Sequence, residues 1–155
     1  MFDKIIAFFM SIIAFFMSLF GMGGGDDKPV TPPADATYSQ HLNVSYGSHE
    51  RQKLDVYFPE EHDGEVGLFL LIHGGAWIAG DKESYASGMN YGASSLGIAT
   101  ASVNYRYISD DVDLLDVLDD IDAALAKIKA KGAEVGVNIN KVLLTGDSAG
   151  GHLSL

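Results

Sequence analysis

The residues with the clearest capacity for chemistry lie in Gly146-Asp147-Ser148-Ala149-Gly150. A serine with glycine two positions to either side suits a strand that turns abruptly into a helix, the hydroxyl projecting from a strained turn. Such a serine can attack a carbonyl carbon once a base removes its proton. A second group, His73-Gly74-Gly75-Ala76-Trp77, directly follows the apolar run from Val66 to Ile72. Acyl transfer builds negative charge on the carbonyl oxygen, and a glycine-rich loop can aim backbone N–H groups at that charge unobstructed. With the N–H of Ala149, this loop would form an oxyanion hole. The His73 imidazole is expected to brace the loop and not to act as the base.

These groups need strands to carry them. Two runs alternate polar and apolar residues, His41 to Tyr46 and Lys53 to Phe58, and predict an antiparallel pair at a sheet edge joined through Gly47-Ser48. Val66 to Ile72 is nearly all apolar, as expected of a strand covered on both faces. Ser84 to Ser95 predicts a helix weakened by Gly88 and Gly92, and Ile98 to Tyr105 another strand. Asp111 to Lys131 is the clearest helix. Leu114, Leu118, Ile121, Leu125 and Ile128 form its apolar stripe, aspartates crowd its first half, lysines its end, and Gly132 is the expected stop. Lys141 to Thr145 predicts a last buried strand. Alternation of strands and helices implies parallel pairing with right-handed crossovers. The expected fold class is therefore α/β: a mostly parallel sheet with helices on both faces.

Four motifs carry a family resemblance: His-Gly-Gly-Ala-Trp at 73–77, Gly80-Asp81-Lys82, Asn104-Tyr105-Arg106, and Gly-Asp-Ser-Ala-Gly-Gly-His at 146–152. Together they resemble the α/β-hydrolase esterases, near the carboxylesterase, feruloyl/acetyl-xylan-esterase-like and hormone-sensitive-lipase-like groups. The likeness runs from about residue 40 to the end of the sequence. It implies the α/β-hydrolase fold and a serine hydrolase cleaving carboxylic esters with small acyl groups. Ser148 would be the nucleophile, and Gly74, Gly75 and Ala149 the oxyanion-hole positions. His73, Ala76, Trp77 and Asp147 would support them. Ala76 stands where many relatives have a third glycine, and its backbone donor survives that change. The resemblance implies no metal and no cofactor, and a small-molecule or polysaccharide ester as partner. Alternatives within the fold are an amidase or peptidase; a non-catalytic binding remnant is the alternative outside it.

In that family the serine is followed by an acid and then a histidine. No acid follows Ser148 here and the one later histidine, His152, is not expected to be the base, so the reading expects an N-terminal part of a hydrolase domain, cut after the nucleophile elbow, whose further strands carry both groups. His152 resembles a packing or hydrogen-bonding helix position, Asp147 is not the triad acid, and His41, His49 and His62 are expected on surface segments. The Asp110–Asp122 cluster reads as a solvated helix face, not a calcium loop, because calcium loops need non-helical backbone. Arg106 is expected in a structural ion pair.

Composition narrows the partners. Ten Lys and Arg against 21 Asp and Glu give a net charge of −11 in 155 residues, which excludes a nucleic-acid surface. Zero cysteines exclude disulfides, thiolate metal sites and a cysteine nucleophile. Residues 1–25 hold a duplicated apolar block (Ile5 to Ser11, repeated at 12–18) with no charge between Lys4 and Asp26. That segment is expected to be a signal peptide or N-terminal membrane anchor, the only membrane contact, and to place the domain outside the cytoplasm. Residues 26–37 are the expected linker, and 38–155 the hydrolase domain.

Overall fold

The computed structural model describes residues 37–155. The expected signal or anchor segment, and the linker up to residue 36, lie outside the described residues. Among the described residues no helix is long and apolar enough to cross a membrane.

The chain runs β1 (Tyr38–Ser45), β2 (Lys53–Pro59), β3 (Glu65–Ile72), a single 3₁₀ turn (Lys82–Tyr85), α1 (Ala86–Leu96), β4 (Ala99–Asn104), α2 (Leu114–Glu134), β5 (Asn138–Gly146) and α3 (Ala149–Leu153). The five strands form one sheet in the order β1-β2-β4-β3-β5. β1 and β2 are the expected antiparallel edge pair, and β2 is also antiparallel to β4. β3 runs parallel to β4 on one side and to β5 on the other. The sheet is thus mixed, and its parallel half carries both motifs.

Strand alternation sends side chains to two faces. Leu54, Val56 and Phe58 of β2 and Leu68, Leu70 and Ile72 of β3 share one buried cluster with Val117, Ile121, Ala124 and Ile128 of α2. On the opposite face Thr100 of β4 donates its hydroxyl proton to the Met89 carbonyl of α1, and Gly92 lets that helix approach the Thr100 methyl. The helices therefore cover both faces, as crossovers running in opposite directions along the sheet, β3 to β4 and then β4 to β5, require.

α2 keeps most of the expected stripe: Ile121 and Ile128 are buried, Leu114 and Leu125 pack against the cluster, Val117 and Ala124 complete the face, and Leu118 leaves it at 39% exposed. Asp120, 1% exposed, does not belong to a solvated face. Its carboxylate takes the Arg106 side chain (Nη2 at 2.8 Å, Nε at 3.0 Å), the Arg106 backbone N–H at 2.8 Å and Gln52 Nε2 at 2.7 Å. Arg106 thus makes the structural ion pair expected of it. Asp113 and Asp116 are also engaged, forming a capping box at the helix start. The helix stops at Gly136 and not at Gly132. Gly136 has φ +81°, and the Val137 and Gly136 N–H groups return to the Gly132 and Ala133 carbonyls, a Schellman ending.

A second buried pair sits between β2 and the 3₁₀ turn. Lys82 Nζ lies 2.8 Å from Asp55 Oδ2, with both side chains under a tenth exposed, and Asn43 N–H donates to the other oxygen of Asp55 at 2.7 Å. Removing one partner strands a buried charge. Lys82→Met is expected to cost about 3–5 kcal/mol, read as a lowered urea midpoint; adding Asp55→Val should recover part of that loss. An unchanged midpoint in the single variant would show that the pair contributes nothing.

Candidate active site

The site begins with register. Ile72 pairs with Gly146 at the parallel ends of β3 and β5, so the segments leaving those strands emerge side by side. One is the 73–77 loop and the other the Asp147-Ser148 turn. The turn is closed by sterics: a Cβ on Gly146 or on Gly150 would collide with the Ile72 carbonyl oxygen, and one on Gly146 would also lie 2.7 Å from the Gly150 carbonyl carbon. Only hydrogen fits at either position, hence the glycines around the serine.

Between them Ser148 adopts φ 49°, ψ −114°, a conformation that L-residues avoid and that stores about 1–3 kcal/mol. Its side chain is exposed and makes no hydrogen bond among the described residues. α3 starts at Ala149, whose N–H is likewise unpaired among the described residues.

The glycine loop is wound left-handed: Gly75 has φ 112°, Ala76 53° and Trp77 63°. The Gly75 carbonyl accepts from Ile78 N–H at 3.1 Å and Ala79 N–H at 3.0 Å, closing the loop on itself. The N–H groups of Gly75 and Ala76 have no partner among the described residues. Gly74 departs from expectation. Its N–H donates to Asp147 Oδ1 at 3.0 Å, so it fastens the loop to the serine turn and is not a free oxyanion donor. The N–H groups of Gly75, Ala76 and Ala149 are thus the unpaired amides beside this turn among the described residues.

Asp147 is the joint between the two segments. Besides Gly74 it accepts the Tyr85 hydroxyl at 2.5 Å, and its own N–H donates back to that oxygen at 3.3 Å. Burial, then the Asp147 hydrogen bond, pushes the Tyr85 hydroxyl well above the ordinary phenol range. Tyr85 and Arg51 are residues that sequence reasoning missed. Neither stands in a motif, and both work through contacts distant in sequence.

His73 is 1% exposed and stacks on Tyr105 with ring centroids 4.4 Å apart. Its Nδ1 is 2.7 Å from the Gly74 carbonyl, which only accepts, so Nδ1 carries the proton and Nε2 is the acceptor. Arg51 Nη2 faces that acceptor at 3.3 Å. Burial first, then the Arg51 charge, hold the His73 pKa below the usual histidine value. Tyr105 donates its hydroxyl proton to the His73 carbonyl at 3.0 Å, and burial pushes its own pKa up to about 12. His73 is thus a brace, as its buried, doubly engaged ring requires.

No ring of the remaining histidines bonds to Ser148 among the described residues. His152 packs edge-on against Trp77, ring centroids 5.5 Å apart, and its backbone N–H donates to the Ser148 carbonyl. Trp77 packs against the core cluster, with its indole N–H buried and unpaired among the described residues. His41 lies on β1, the sheet edge opposite β5, against Phe58. His49 and His62 accept from Arg51 and Gly64 backbone N–H groups in exposed turns. No group of side chains among the described residues could hold a metal ion.

The geometry can therefore present a serine hydroxyl beside unpaired amides. The family model for BD-FAE matches residues 54–155, about two thirds of the chain and all of this site. The chain belongs to the BD-FAE family. This BD-FAE chain is 34% identical over 120 residues to the protein named "Probable carboxylic ester hydrolase LipM" of Mycobacterium tuberculosis, covering 76% of the chain and 28% of that relative. It is 30% identical to kynurenine formamidase of Salmo salar, covering 73% of the chain and 36% of that enzyme. Among solved structures, esterase B of Lactobacillus rhamnosis, inhibited by a tributyrin phosphonate, superimposes with TM-score 0.65 at 30% identity, over 98% of this chain and 47% of that one. The chain thus spans about a third of the length of these curated relatives and about half of the solved structure.

Two outcomes follow from the geometry. Gly150→Ala must displace the Ile72 carbonyl, and is expected to cost about 1–3 kcal/mol as an overpacked site and to slow any reaction at Ser148; thermal unfolding and serine labelling check both. His73, with its folded pKa below the unfolded value near 6.5, contributes stability that is complete above that pH and lost as pH falls through the folded value. His41, lowered by burial and by Lys131, adds in the same direction. Nitrogen-15 spectra should therefore show the His73 ring of the folded protein still neutral, with Nδ1–H, at a pH where a free imidazole is already protonated.

Proposed function

We propose that the protein is a serine hydrolase of carboxylic esters with small acyl groups, with Ser148 as nucleophile. The observation that carries this reading is the backbone of Ser148, held at positive φ at the end of β5 with its hydroxyl exposed and the Ala149 N–H unpaired among the described residues. Strain kept at an exposed nucleophilic side chain has no use in packing. In this reading Ser148 Oγ bonds to the carbonyl carbon, its proton passes to a histidine and from there to the departing alcohol, and water then releases the acid. The amides of Gly75, Ala76 and Ala149 hold the oxyanion, which needs no metal or cofactor. No described histidine ring bonds to Ser148, so the base and its carboxylate partner belong to chain outside residues 37–155. The matched segments cover 28% and 36% of the relatives, which leaves room there for both. The apolar N-terminal segment would export or anchor the enzyme, bringing it to ester substrates outside the cytoplasm. The likeness to a formamidase keeps a second reading in view, in which the same serine opens an amide bond.

The test uses the protein as its gene encodes it, with p-nitrophenyl acetate, butyrate and decanoate and an N-formyl arylamine. Acetate or butyrate should turn over fastest, and Ser148→Ala should lower kcat by about 10⁴–10⁶-fold, the range seen when a nucleophilic serine is removed. Faster hydrolysis of the formamide would favour the second reading. Undiminished ester turnover by Ser148→Ala would remove both.

A further inference from the structure

Arg51 stands outside every motif, in the turn between β1 and β2, yet its side chain meets four groups around the glycine loop. Its Nε donates to the Tyr105 carbonyl at 2.9 Å, and its Nη2 to the Gly80 carbonyl at 3.1 Å and to His73 Nε2 at 3.3 Å. The guanidinium also lies 3.7 Å above the centre of the Tyr107 ring, whose hydroxyl donates to the same Gly80 carbonyl at 2.5 Å. Asp81 is the nearest carboxylate, 3.8 Å from Nη1. One planar cation thus joins both ends of the 73–80 loop to the segment leaving β4. An ammonium could not reproduce this, because the contacts use the fork and the flat face of guanidinium together.

We propose that Arg51 is a positioning residue: by fixing His73 and Gly80 it holds the loop in its left-handed winding and so presents the Gly75 and Ala76 amides to the reacting oxygen. The chain of contacts is direct. Arg51 occupies His73 Nε2, which leaves Nδ1–H for the Gly74 carbonyl, and Gly74 in turn donates to Asp147 beside Ser148. Gly80 closes the other end, where a Cβ would strike the Gly74 carbonyl and the His73 ring. Without the guanidinium, His73 Nε2 is an open acceptor and the ring is free to take a second proton. The charged groups around it are then Asp81 and Asp147, both of which favour protonation, with Tyr105 stacked on its face. The proposal rests on the ester-hydrolase reading for its kinetic consequence, and on the loop alone for its structural one.

The experiment compares wild-type protein with Arg51→Gln and Arg51→Lys, and with Arg106→Gln as a variant that breaks a different buried pairing. Turnover is measured per active serine by burst titration across pH 5–9, and backbone hydrogen exchange is followed at Ile78 and Ala79, whose N–H groups close the loop on the Gly75 carbonyl. Arg51→Gln is expected to lower kcat about 10–100-fold with KM within about threefold, the signature of lost transition-state contacts. Its acidic limb should move to higher pH, and exchange at the two amides should quicken. Arg51→Lys should recover only part of kcat, and Arg106→Gln should lower Tm without moving the acidic limb. Unchanged kcat, acidic limb and exchange in Arg51→Gln, with only a lower Tm, would overturn the proposal. A wild-type protein that hydrolyses no ester would refute the functional reading instead, and exchange at Ile78 and Ala79 would then decide the role of Arg51 by itself.

Discussion

The carbonyl oxygen of Ile72 leaves no space for a β-carbon at either position 146 or position 150. That exclusion brings the end of β3, the end of β5 and the start of α3 closer than any other residue pair would allow. The His73 loop and Ser148 become neighbours because their strands end in register, and Ser148 stands between the two glycines at a positive φ. Its positive φ is a consequence of the packing around it. A strained residue of this kind persists only where its surroundings over-determine it. Here the Asp147 bonds to Gly74 and Tyr85 supply the rest of that determination.

Charge works as a fastener around this centre. Lys82–Asp55 ties the 3₁₀ turn to β2, Arg106–Asp120 ties α2 to the segment leaving β4, and Arg51 ties the β1–β2 turn to the glycine loop. The first two join a turn or loop to a strand or helix, and the third joins two loops. Pairs of this sort add little net stability compared with apolar packing, but they penalise any arrangement that leaves one member alone. The loops that frame Ser148 are thus held by penalties against misplacement.

Much of this was legible in the sequence, and what was not has specific causes. The strands were readable from alternation and from the apolar run at 66–72, because burial on one or both faces leaves a local pattern. The glycine spacing around Ser148 announced the turn for the steric reason given above. α2 was recognisable as a helix with most of its stripe, but the burial of Asp120 was not. That burial comes with Asp120 meeting Arg106, a contact no periodicity encodes. The N–H of Gly74 was assigned to the oxyanion because a glycine-rich loop shows which residues are permissive, not which amides are already taken. Tyr85 and Arg51 were invisible for a related reason: their partners lie 62, and between 22 and 54, residues away.

The central claim is that the turn between β5 and α3 exists to present Ser148 as a nucleophile. It is tested most directly by treating the protein, as its gene encodes it, with a fluorophosphonate and locating the adduct by peptide mass spectrometry. A single stoichiometric adduct on Ser148, abolished when the protein is first unfolded, is the expected result. A protein that hydrolyses esters yet carries its adduct on another residue, or none at all, would contradict the account.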